Sequence, residues 1–208
     1  VIWSQVPTES LSGLDVVRGA GAGPYGAGAL TGVIALRERD GAGGALELSG
    51  GELGGQRLGA ATTLSAGRFS LTGALQREVS DGYVPVRGLA AGAADTPLDL
   101  ETLSGALRLD AALAGDLALS LRASAYDEER GSGLIGARSS ASGESYSATV
   151  SRAPSAERFG WRAQLWGRTS DFANTSVAVA AGRGSTTPAN DQFETPAEGW
   201  GWNLALRR

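Results

Sequence analysis

The chain has 208 residues, a formal net charge of −4 and a mean hydropathy of −0.08. It holds no Cys, His, Met or Lys, which excludes disulfides, thiolate or Ser-His-Asp catalysis, zinc and haem sites with the usual ligands, and any P-loop or Schiff-base lysine. Charged residues make up 19% with no basic excess, so no field is present that would hold nucleic acid.

The first forty residues differ from the rest. Pro7 and Thr8 suit the start of a single helical turn. Residues 14–18 (Leu-Asp-Val-Val-Arg) read as a short strand, and residues 33–36 (Val-Ile-Ala-Leu) as a second. Between them, residues 19–28 hold five glycines with Pro24 and Tyr25. Glycine at that density allows sharp turns and close backbone packing.

From residue 41 onward the pattern has period two, the mark of strands with unlike faces. Leu46 and Leu48 open it near Ala45. Further runs follow at 58–64, 69–75, 103–111, 117–123, 146–150, 159–165 and 200–206, which makes eight strands. Short turns at 66–68, 114–116 and about 152–158 alternate with long loops expected at 78–100, 128–143 and 170–199. Short connections at one end and long ones at the other are the pattern of an outer-membrane barrel. One face of these strands repeatedly carries Arg57, Thr63, Arg108, Asp110, Arg122 and Arg162. Arginines need partners or water, so that face is either a lumen or the wet side of a soluble sheet. Trp200, Trp202, Phe159 and Trp161 stand at strand starts, where aromatic girdles sit in membrane barrels. No run of about 18 apolar residues predicts a transmembrane helix.

Residues 14–34 carry a family resemblance. Asp15, Val16, Val17, Arg18-Gly19, Tyr25-Gly26, Ala29 and Gly32-Val33-Ile34 follow, in order, the pattern that ends the plug domain of TonB-dependent outer-membrane receptors. The departures are Ala20 for the usual proline, Thr31 for the first of two glycines and Ala35 for the usual asparagine. Asp81-Gly82-Tyr83 also resembles a segment of the first barrel strands of these receptors. The resemblance implies an all-β fold: a portion of an antiparallel transmembrane β-barrel, about eight strands and open, with a C-terminal piece of the plug domain. It implies residues 1–40 as the end of the plug and 41–208 as the first barrel strands, a fragment of a larger protein whose coupling segment precedes Val1.

The same resemblance implies no enzyme and no cofactor, but active transport of a scarce nutrient such as a siderophore-iron complex or cobalamin. The implied partners are an inner-membrane energy transducer of the TonB type, outer-membrane lipid of a Gram-negative cell and a small-molecule ligand. The plug motif would be Arg18, Gly19, Tyr25, Gly26, Ala29, Gly32, Val33 and Ile34, with a plug arginine such as Arg18 paired to carboxylates of the wall. Ligand contact is expected at loop aromatics Tyr83, Phe172 and Phe193. The acidic run Asp127-Glu128-Glu129 reads as the solvated start of a loop, with calcium binding as its alternative. Two other readings remain open: a small structural or adhesive outer-membrane barrel of eight strands, and a soluble carbohydrate-binding β-protein.

Overall fold

In the computed structural model the described residues are 3–19 and 31–208. They form a two-stranded ribbon set against one large antiparallel sheet. A single turn at Thr8–Ser10 leads into β1 (Leu11–Arg18), which pairs with β2 (Gly32–Glu38). The sheet follows as β3 (Gly43–Gly50), β4 (Gln56–Ala66), β5 (Phe69–Ser80), β6 (Leu100–Ala112), β7 (Leu117–Gly131), β8 (Arg138–Arg152), β9 (Gly160–Val179), β10 (Thr186–Gln192) and β11 (Ala197–Arg207). Each strand from β3 to β10 pairs with the next in sequence, a pure meander, and β11 returns to pair with β9. No ladder joins β3 to β10 or β11 among the described residues, so the sheet is open.

Register fixes the two faces. The ladder row Thr63–Thr72–Arg108–Arg122–Ser147–Trp166 crosses β4 to β9 on one face. The opposite face carries Leu64 and Leu71, then Leu109, Leu121, Ala148 and Leu165. The first face is concave and holds the N-terminal residues; the second is an exposed apolar belt in which Leu46, Leu48, Trp200, Trp202 and Leu206 are all 70% exposed or more. Core burial is correspondingly thin: beside Pro7, the buried apolar side chains among the described residues are alanines such as Ala61, Ala94 and Ala111.

The belt has a defined upper edge. Where the outer positions change to Arg77, Glu101, Asp127, Glu129 and Glu144, strand pairing continues but the outer face turns charged. Three expectations change here. The segment 128–143 is mostly strand, leaving a connection of 132–137. The acidic run 127–129 lies within β7, not in a loop. The segment 170–199 is the rest of β9, then β10, then the start of β11. The physical reason is shared: above the belt both faces carry polar or charged side chains, so period-two hydrophobicity vanishes while backbone pairing persists.

The ninth sheet strand has a simple origin. β10 pairs with the upper part of β9 through Asn174–Gln192, and β11 takes over from Ser170–Ala197. They are one descending strand broken at 193–196, where Pro196 lacks an N–H. Asp171 Oδ1 bridges the break, accepting bonds from the backbone N–H groups of Phe172 and Thr195, each at 2.8 Å.

The 81–99 connection stays long but is pinned. Leu98 N–H bonds Tyr83 O, Ile135 N–H bonds Ala94 O, and Ala94 N–H bonds Arg183 O. Asp95, 2% exposed, receives the Arg183 guanidinium and the Gly92 N–H at 2.8 Å. The Arg183 bond, with Gly92 helping, holds the Asp95 carboxyl below the usual carboxylate range.

Candidate ligand-facing interior

Acids of the N-terminal residues meet arginines of the concave wall. Glu38, at the end of β2, bonds Arg108 through one carboxylate oxygen and Arg122 through the other. Arg108 is 11% exposed and also holds Asp40 at 3.1 Å and the Arg39 carbonyl at 3.0 Å. Asp110 lies 2.8 Å from Arg108 Nε but off the line of its N–H. The guanidinium thus sits among three carboxylates, the arrangement a buried cation requires.

A second junction lies higher. Arg57 of β4 bonds Glu9 at 3.1 Å and Gln76 at 3.1 Å, and stands 3.4 Å from Glu78. Thr8 N–H also bonds Gln76 at 3.0 Å. Burial pushes the Glu9 carboxyl up, but its backbone bond and those from Arg57 and Thr8 outweigh this and hold it low. The wall leaves room for the acid: a Cβ at Gly59 would fall 2.2 Å from the Glu9 carboxyl carbon. Glu128, 6% exposed, faces inward from β7 and takes bonds from Ser4 and Arg130.

The resemblance implied arginine on the plug side and carboxylate on the wall. Among the described residues the polarity is the reverse: Glu9, Glu38 and Asp40 meet Arg57, Arg108 and Arg122. Arg18 is exposed and closes the β1–β2 ladder opposite Gly32. Gly19 N–H bonds Thr31 O at 3.0 Å, while Val33 and Ile34 pair with Val17 and Val16. A Cβ on Gly32 would approach Val17 O to 2.5 Å, so only glycine fits. Tyr25, Gly26 and Ala29 lie outside the described residues.

The three expected ligand aromatics do not converge. Phe172 lies in β9 and faces a wide concavity of about 880 Å³ shared with Arg57, Gln76, Glu128, Arg130 and Asn174. Tyr83 stays on the 81–99 connection, and Phe193 sits at the break between β10 and β11, 74% exposed. The acids that pair with the wall were not singled out from sequence. Their signal was present in Glu38-Arg39-Asp40 following an apolar strand, opposite arginines that needed partners.

No protein-family model and no curated protein matches the chain. Solved structures do. The siderophore receptor PiuA from Acinetobacter baumannii superposes with a TM-score of 0.73 at 10% identity, over 96% of this chain and 32% of that one. The ferric-catecholate import receptor Fiu from E. coli K12, in its open form, gives 0.67 at 14% identity, over 96% and 35%. The chain therefore spans about a third of the length of the receptors it matches. At these identities the likeness is one of fold: the chain has the fold of part of a TonB-dependent receptor, an open antiparallel sheet of barrel strands.

Proposed function

We propose that residues 1–40 are the end of a plug and 41–208 the first strands of the barrel of an outer-membrane receptor. It imports a scarce nutrient, such as a siderophore-iron complex or cobalamin, with energy from a TonB-type inner-membrane protein. Its chemistry is capture and conformational work, with no bond made or broken. One observation carries the reading: a curved sheet with an apolar belt outside and ion pairs to an N-terminal segment inside. A water-soluble sheet does not leave a contiguous apolar face of that extent bare, whereas lipid requires it. The siderophore and ferric-catecholate ligands named for the two similar receptors support the nutrient class. The expected outer-rim contacts are Phe172, Tyr83 and Phe193.

The test is uptake. Deleting the gene for the whole protein should abolish energy-dependent accumulation of one labelled chelate or corrinoid. Deleting the energy transducer should abolish it equally. Uptake unaffected by both deletions counts against the proposal.

A further inference from the structure

The two edges of the apolar belt differ in charge. Above it the outer positions are chiefly acidic: Glu101, Asp127, Glu129 and Glu144, with Arg77 bound to Glu101. Below it, at the short-turn end, β8, β9 and β11 lie side by side and carry arginines. Residues 152–162 and 207–208 hold Arg152, Arg158, Arg162, Arg207 and Arg208 against a single acid, Glu157. None of these arginines belongs to an ion pair formed by the described residues. At the opposite end Arg77, Arg130, Arg138 and Arg183 all hold carboxylates.

Register sets the unpaired charges against the belt. Arg152 shares a ladder row with Trp161 and Leu206, at the lower end of the outer face. Phe159, next to it and exposed, carries the Arg208 guanidinium 5.3 Å above its ring. Arg162 and Arg207 stand on the inner side of the same strand ends, opposite Ala205 and Gly160. Arg152, Arg162 and Arg207 line one cavity of about 740 Å³ at this rim, and the outer-face residues Trp161 and Leu204 share its wall. Asp116 is the one acid in that lining. Arg152 Nε is buried with no hydrogen-bond partner among the described residues, and Arg162 donates to Gln164 Oε1 at 3.2 Å.

Guanidiniums without carboxylate partners present paired N–H donors that match phosphate oxygens. Aromatic side chains between an apolar face and a charged edge suit a bilayer interface, and a basic cluster at such an edge attracts anionic headgroups. A soluble anion would use the arginines alone. Here an apolar face begins on the next rungs, so a phosphate and the chains attached to it are met together.

We infer that Arg152, Arg162 and Arg207, with Arg158 beside them, bind the phosphate of an anionic phospholipid whose acyl chains lie on the belt at Trp161 and Leu206. The inference rests on the proposed outer-membrane setting. The acidic edge opposite repels the same headgroup, so the lipid is selected at the short-turn end only.

The test is native mass spectrometry of the purified full-length protein in neutral detergent, titrated with phosphatidylglycerol, phosphatidylethanolamine and soluble glycerol phosphate. Phosphatidylglycerol should bind about tenfold tighter than phosphatidylethanolamine, and excess glycerol phosphate should not displace it. Arg162→Gln with Arg207→Gln should remove that preference, at about fivefold for each arginine. Both side chains are exposed, so the variant keeps the strands intact should Arg152→Gln fail to assemble. Arg77→Gln with Arg138→Gln, at the opposite edge, should leave the preference unchanged. Equal binding of the two lipids to a protein that still supports uptake overturns the headgroup site and leaves the transport reading standing. An undiminished preference in the Arg162→Gln, Arg207→Gln protein overturns it too. Displacement by glycerol phosphate would make this a site for a soluble anion and overturn the lipid assignment. A preference carried by these arginines in a protein that supports no uptake upholds the site and overturns the transport reading.

Discussion

Arg108 and Glu38, 70 residues apart in sequence, meet on the inside of the sheet, and the same carboxylate reaches Arg122 with its other oxygen. The pair ties β2 to β6 and β7 at once. Arg108→Gln should leave Glu38, Asp40 and Asp110 short of a cation and cost about 2–3 kcal/mol, less than a fully buried pair because all three acids reach water. Denaturant unfolding of the full-length protein checks the size. The double variant with Glu38→Gln should recover part of the loss, and full additivity would show that the two do not interact.

Gly59 faces the Glu9 carboxylate with no space between them. Gly59→Ala should therefore displace the Glu9 carboxylate, the far end of a flexible side chain, break the Arg57–Glu9 bond and loosen the Thr8–Ser10 turn, at a cost of about 1 kcal/mol. Gly167→Ala is the control, since its nearest neighbour would stand 3.9 Å away. Faster proteolysis after Ser10 in the first variant alone is the expected result.

Asp95 has its carboxyl held low by Arg183. A depressed carboxylate contributes stability above its unfolded pKa, about 3.9, and loses it as pH falls through the lower folded value. Protection of the Ala94 and Ile135 amides from hydrogen exchange, relative to their intrinsic rates, should thus hold down to about pH 4 and fall only below. Arg183→Gln should lower that protection at neutral pH and shrink its loss on acidification, because the Asp95 carboxyl then titrates closer to its unfolded value. A profile identical in both proteins would remove the pair as the cause.

The belt predicts where charge is tolerated. Leu121→Arg, on the apolar face, should cost about 2–4 kcal/mol of membrane stability, while Ser147→Arg on the concave face should cost far less. Assembly yield in outer-membrane fractions reads the difference. Similar yields would show that the belt does not meet lipid.

Orientation is testable because the chain has no cysteine of its own. Single cysteines at Ala93 and Gly184 should be labelled by an impermeant reagent on intact cells. Cysteines at Gly67 and Gly115 should react only after the cells are opened. The reverse pattern would turn the molecule over.

The strands were legible wherever one face was apolar and the other polar. β4 through β7 show this within the belt, where Leu58, Leu71, Leu107 and Leu121 alternate with Arg57, Thr72, Arg108 and Arg122. β10 was not legible. Its sequence of Thr, Pro, Ala, Asn, Asp and Gln has no apolar period, and it is a strand because its backbone pairs with β9. The site was less legible still. That Glu9 would meet Arg57, and Glu38 meet Arg108, depends on contacts 48 and 70 residues apart.

β9 runs for 20 residues. At about 3.3 Å per residue it is roughly 66 Å long, while a strand tilted near 45° needs only about 42 Å to cross a hydrocarbon core of about 30 Å. In the proposed setting, about 20 Å of stiff hairpin stands clear of the lipid. Capture then begins on a rigid turret above the headgroups, and a ligand descends a paired wall rather than waiting for a loop to find it.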